Sequence, residues 1–166
     1  MNKSVPIIIA VAIVGGISAY AISPYFLEST IDEALPTDTV LQPKNKVVMD
    51  DTMTDKTISM SYAGTFIGVG DGIHDAQGNA YTIPIEDESN ILRLENFEST
   101  NGPDLYVYLA TDDNASDIVN LGKLKANKGN QNYEIPEGTD LQKYNKVLIW
   151  CKTFSVLFGS AELSSK

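Results

Sequence analysis

From Ile58 onward the chain breaks into short runs rich in β-branched, aromatic and other apolar residues, each closed by turn-forming residues. The runs are Ser59–Val69, Ala80–Ile85, Ile91–Phe97, Leu105–Thr111, Ile118–Lys125, Asn132–Ile135, Lys146–Phe154 and Val156–Leu163. Gly70, Gly72 and Gly78, Asp87 to Asn90, Asn101-Gly102-Pro103, Asp112 to Asp117, Asn127 to Asn130 and Glu137-Gly138 punctuate them. No stretch in this region sustains the helical period. Such a chain can bury its apolar residues only by pairing strands. The expectation is therefore an all-β fold: a single antiparallel β-sandwich or barrel-like domain over residues 61–164, with one helical turn near Asp140–Tyr144.

The segment KVLIWCKTF (Lys146–Phe154) is the clearest strand. Alternation sends Val147, Ile149 and Cys151 to one face, and Leu148 and Trp150 to the other. Apolar residues on both faces predict a strand covered on both sides. Leu105, Val107 and Leu109, set against Tyr106 and Tyr108, read the same way.

The N-terminal part differs. Val5 to Ile22 carries no charge, and Tyr25, Phe26 and Leu27 prolong the apolar run. A bilayer core of about 30 Å takes about 20 helical residues to cross, so residues 1–27 are expected to form a transmembrane helix. Lys3 lies before the run, and Glu28, Asp32 and Glu33 follow it. This asymmetry predicts a single-pass cell-membrane protein with the C-terminal domain extracytoplasmic. Ala19-Tyr20-Ala21 offers the alternative of a signal peptide cleaved near Ala21, which would leave a secreted protein. Residues 28–60, with Pro36 and Pro43, read as an extended, flexible acidic stalk.

Charge and residue counts exclude several functions. Twelve basic residues face 22 acidic ones, a net charge of −10, so no nucleic-acid partner is expected. One cysteine excludes an internal disulfide and a CxxC zinc knuckle, and one histidine excludes any site needing two imidazoles from one chain. Asp71 and Asp75 lack the oxygen spacing of a calcium-binding loop, and no metal centre is expected. No arrangement of a hydrolase nucleophile, base and orienting acid is visible, so a stand-alone enzyme is not expected.

Two residues remain as candidates. Cys151 reads either as a small buried hydrophobe or as a redox thiol or soft ligand. Lys152 is adjacent to it but points to the opposite face of a regular strand. His74, in GVGDGIHDAQGNA, reads either as a loop histidine bonded to Asp71 or Asp75 or as an axial ligand to a metal or haem. Trp150, Phe154 and Phe158 near Cys151 read as core.

Asn96-Phe97, NGPDLYVYL (Asn101–Leu109), LGKLKANKGNQNYEIPEG (Leu121–Gly138) and VLIWCKTFSVLFGSAEL (Val147–Leu163) together resemble the DM13 domain. Gly64–Phe66 and HDAQGNA (His74–Ala80) are similar to that domain's opening, and the resemblance spans about Ala63 to Leu163. It implies a component of a proposed electron-transfer system. Its hallmark cysteine in the I-W-C motif corresponds to Cys151, acting as a naked thiol or helping to bind a prosthetic group such as haem. His74 matches the family's opening histidine and is a tentative second cofactor contact. No DOMON or cytochrome domain accompanies it in this sequence, so a separate redox partner protein is expected. The competing reading is a non-catalytic surface binding or adhesion module in which Cys151 is structural and Tyr106, Tyr108, Tyr133 and Tyr144 make contacts.

Overall fold

The computed structural model describes residues 28–36, 62–85 and 89–165, together with Val11, Ile13 and Gly15. Ten strands are found among the described residues. They are β1 (Thr30–Asp32), β2 (Tyr62–Gly68), β3 (Ala76–Pro84), β4 (Asn90–Ser99), β5 (Leu105–Ala110), β6 (Ile118–Lys123), β7 (Lys128–Ile135), β8 (Lys146–Cys151), β9 (Val156–Glu162) and β10 (Ser164–Ser165). Each of the eight expected runs overlaps one of them, and β3, β4 and β7 begin before the runs that predict them. The order across the sheet is β1-β7-β4-β3-β2-β9-β8-β5-β6, with β10 on β2. β2 is the corner. Ala63 to Thr65 pair with β3, and Phe66 to Gly68 pair with β9. The sheet thereby curls into a half-barrel around one core.

Period-two alternation fills that core. Leu92, Leu94 and Phe97 of β4, Val107 and Leu109 of β5, and Val147, Ile149 and Cys151 of β8 belong to one buried cluster. Each such apolar side chain contributes roughly 1.5–3 kcal/mol by leaving water. Phe66 and Phe97 meet edge to face at 5.3 Å. The opposite face of β5 and β8 carries a second cluster of Tyr108, Ala110 and Leu148, with Tyr106, Trp150 and Leu157 against it. The two-sided reading of these strands is therefore correct.

The sequence expectation needs correction in several places. The first described residues of the expected stalk are part of the domain. β1 pairs with β7, and in parallel register, so the sheet is not wholly antiparallel. Gly129 makes this possible: at φ 103° it adopts a backbone few side-chain-bearing residues tolerate, and a Cβ there would overlap the Ile31 carbonyl oxygen. Lys125 Nζ binds Glu33 Oε1 at 2.8 Å, and the buried Arg93 donates to the Glu33 carbonyl at 2.7 Å, holding the segment down. Phe154, expected in the core, is 67 % exposed, because it lies in the turn between β8 and β9 rather than on a strand. Tyr108 and Tyr133, offered as contact residues, are buried. The turn at Asp140–Tyr144 is present: Tyr144 N donates to Asp140 O at 2.9 Å, and Asp140 Oδ1 accepts from Gln142 N.

The expected span and the rest of the expected stalk lie outside the described residues, apart from the three isolated positions. Among the described residues, no helix is long and apolar enough to cross a membrane.

One end of the half-barrel gathers the loops next to the two candidate residues, His74 and Cys151. Thr100 N bonds Asp75 O, Ser99 N bonds Asn127 O, and Lys152 N bonds Asp104 O, so the 69–75, 100–104, 124–127 and 152–155 loops are tied together. Ser29, just before β1, joins the same end through Asn127 Oδ1, which accepts from its N–H at 2.5 Å.

Candidate functional site around Cys151 and His74

Cys151 is the last residue of β8. Its rung partners are Leu105 on β5 and Val156 on β9. Alternation turns its sulfur into the core, and the residue is 1 % exposed. A bulge between Ile149 and Trp150 places Phe158 opposite this part of β8, in the same cluster. Trp150 belongs to the other face, so of the three aromatics named from sequence only Phe158 shares the core with Cys151. Lys152 Nζ lies 5.2 Å from the Tyr106 ring, on the far side of the sheet. The expectation that this lysine is turned away from the thiol is met.

The thiol is sealed, and it lies on the last rung of its hairpin. Pair Cys151–Val156 closes a hairpin whose turn, Lys152 to Ser155, is wholly exposed, with Ser155 at φ 53°. Asp104 clamps this turn from the neighbouring loop. Its carbonyl accepts from Lys152 N at 3.0 Å, and its Oδ2 accepts from Thr153 Oγ1 at 3.2 Å.

His74 sits at the same end. Asp71 Oδ1 accepts from the backbone N–H groups of Ile73 at 2.8 Å and His74 at 2.7 Å, and Oδ2 meets His74 Nδ1 at 2.6 Å. These bonds, the His74 N–H first, hold the Asp71 carboxyl down at about 2. An ionised carboxylate only accepts, so Nδ1 carries the proton in this pair. The imidazole packs edge-on against the Phe158 ring at 4.5 Å. Phe158 thus separates the half-exposed histidine from the core that holds the cysteine. Of the two carboxylates weighed from sequence, Asp71 is the partner; Asp75 instead belongs to the bonds tying its loop to Thr100.

A cleft of about 1040 Å³ lies between β6 and β7, with Asn120, Leu121, Lys125 and Ile135 on its walls. A second, of about 380 Å³, reaches Leu105, the rung partner of Cys151. Among the described residues, neither of these two clefts is lined by Cys151 or His74. Among the described residues, no three acidic, histidine or cysteine side chains converge to hold a metal. Haem does not fit this arrangement. Ligation by Cys151 needs a cavity against the sulfur, and the sulfur is packed among Leu105, Val156 and Phe158.

A family model described as Electron transfer DM13 matches residues 68–163. The chain belongs to the DM13 family. The matched DM13 segment contains both His74 and Cys151 and runs from the end of β2 through β9. Its description supports a coarse redox role. No curated protein and no solved structure matches the chain.

Sequence reasoning missed two members of the site, Asp104 and Phe158 as the ring beneath His74. Both depend on strand register. Asp104 reaches Thr153 only because β5 lies beside β8, and Phe158 meets His74 only because a bulge lets it turn inward.

Proposed function

We propose that this DM13 domain transfers electrons outside the cell membrane, held there by its N-terminal apolar segment, with Cys151 as the reacting group. The observation that carries this reading is the position of the lone thiol: buried, yet one rung below an exposed four-residue turn. A sealed thiol cannot attack anything, because attack requires a thiolate in contact with its target. Opening of the Cys151–Val156 rung brings it out at far less cost than unfolding the domain.

Once exposed, the Cys151 thiolate attacks one sulfur of a partner protein's disulfide. The sulfur–sulfur bond breaks, a mixed disulfide forms, and the partner's second sulfur leaves as a thiolate. One thiolate of a second partner's dithiol then attacks the Cys151 sulfur and releases the first partner's sulfur as a thiolate; the second partner's other thiolate attacks the new mixed disulfide, closes that partner's disulfide and releases Cys151 as a thiolate. The net flow is two electrons from one partner to the other, with burial protecting the thiol from solvent oxidants between encounters.

The test is trapping. The full chain in its native membrane is quenched with acid, alkylated and run without reductant. The expected result is a reductant-sensitive adduct that Cys151→Ala lacks. Its absence, with the thiol reactive only in denatured protein, would instead favour the second reading. In that reading Cys151 is a small core residue and the domain is a binding module, as its 1 % exposure also suggests.

A further inference from the structure

The loop-bearing end of the half-barrel carries large apolar side chains that are exposed among the described residues. Ile73 is 72 % exposed in the β2–β3 loop, and Phe154 is 67 % exposed in the β8–β9 turn. Ile67 and Val69 flank the end of β2 and are exposed too. These two connections are neighbours, since β2 pairs antiparallel with β9 and the C-terminal end of one meets the N-terminal end of the other. Elsewhere in the domain only Leu35 and Ile118 are comparably open among the described residues.

The chain also enters the domain at this end. Ser29 is fixed there by Asn127, and by its own carbonyl, which accepts from Lys128 N at 3.1 Å. The apolar N-terminal run stops at Leu27. Two residues span at most about 7 Å, so that run ends within about 7 Å of Ser29, at the end of the half-barrel that carries the rim. We propose that this rim rests on the lipid bilayer, with Ile73 and Phe154 reaching below the headgroups. The proposal rests on the reading of residues 1–27 as a membrane anchor.

The charge around the rim selects the kind of surface. Asp71, Asp75 and Asp104 line the same loops as Lys125 and Lys152, Lys123 lies 3.3 Å from Asp104, and Lys128 is occupied by Glu28 and Glu98 at 3.1 Å each, which leaves the rim a small acidic excess. An acidic rim is repelled by anionic headgroups and suits a zwitterionic surface. Apolar loop tips inserted at the interface then supply the attraction that charge does not.

The test uses the full chain reconstituted into phosphatidylcholine vesicles whose acyl chains carry bromine, which quenches tryptophan on contact. Ile73→Trp, Phe154→Trp and, at the opposite end, Glu137→Trp are compared with the parent, whose Trp150 gives the baseline. The expected result is that the added fluorescence at 73 and 154 is largely quenched, that at 137 is not, and anionic lipid weakens the effect. If the chain floats with the vesicles but positions 73 and 154 stay as bright as 137, the rim does not touch lipid and serves a protein or nothing, while the anchor stands. If the chain does not float with the vesicles, the anchor reading falls and this proposal with it.

Discussion

Replacing Asp104 by alanine should unseal Cys151 without unfolding the domain. The substitution removes the bond from Thr153 Oγ1 to Oδ2, and it keeps the backbone bond from Lys152 N to the Asp104 carbonyl. Asp104 Oδ1 also lies 3.3 Å from Lys123 Nζ, but that lysine is well exposed and does not belong to the turn. One exposed hydrogen bond contributes about 1 kcal/mol, so the open hairpin becomes about fivefold more populated. When closing is faster than modification, the alkylation rate of the single cysteine follows that population directly. The assay is the native-state rate of reaction with a small maleimide, followed by mass. Asp140→Ala is the control: it removes bonds from the N–H groups of Gln142 and Lys143 in the turn that leads into β8, at the end of that strand opposite Cys151. If the two variants accelerate alkylation equally, or Asp104→Ala not at all, the thiol is reached only by global unfolding and the hairpin gate is wrong.

Further outcomes follow from the same geometry. Gly129→Ala should dislodge β1, because the Cβ overlaps the Ile31 carbonyl and the residue sits at positive φ; a loss of about 1–3 kcal/mol is expected, read as a lower Tm and faster amide exchange at Thr30–Asp32. Gln131→Leu should cost about 2–5 kcal/mol in urea unfolding, since the buried amide accepts from Ala126 N and Tyr133 OH and donates to Ala126 O; a near-neutral result would mean that water replaces it. Asp71 has its carboxyl pKa lowered from 3.8 to about 2, so the folded loop favours the ionised form. Its contribution is intact above the unfolded value and fades as pH falls through the folded one. Amide exchange at Ile73 and His74, corrected for its intrinsic pH dependence, should therefore hold steady down to pH near 4 and accelerate below it, and Asp71→Asn should remove that step.

The all-β fold was legible because alternation and turn chemistry leave a strong imprint. The inward set Val147, Ile149 and Cys151 needed no more than period two. The strand starts were less legible. Gly78 reads as a break, yet it lies inside β3 at φ 113°, where a register shift between Gln77 and Asn79 needs a residue without a side chain. Asn127 to Asn130 read as a turn, yet β7 begins at Lys128, and its polar residues are satisfied by β1 and Asp32 rather than by solvent. β1 itself is too short to announce itself; only its partner makes it a strand. Of the site, Cys151 and the Asp71 bond to His74 were visible, one from uniqueness and the other from local spacing. The Asp104 clamp was not, because it joins residues 49 positions apart.

The shared corner at β2 has a consequence for how the domain is made. Phe66 waits for Ala161, and Tyr62 for Ser165, so the first strand of the main domain is completed by the last. A chain emerging N-terminus first holds β2 half-paired until β9 and β10 have been made, about 100 residues later, and contacts of such long sequence separation form slowly. Closure of the domain therefore waits for β9 and β10, and a truncation that removes even these two strands should leave nascent material open to chaperones and proteases rather than a smaller working domain.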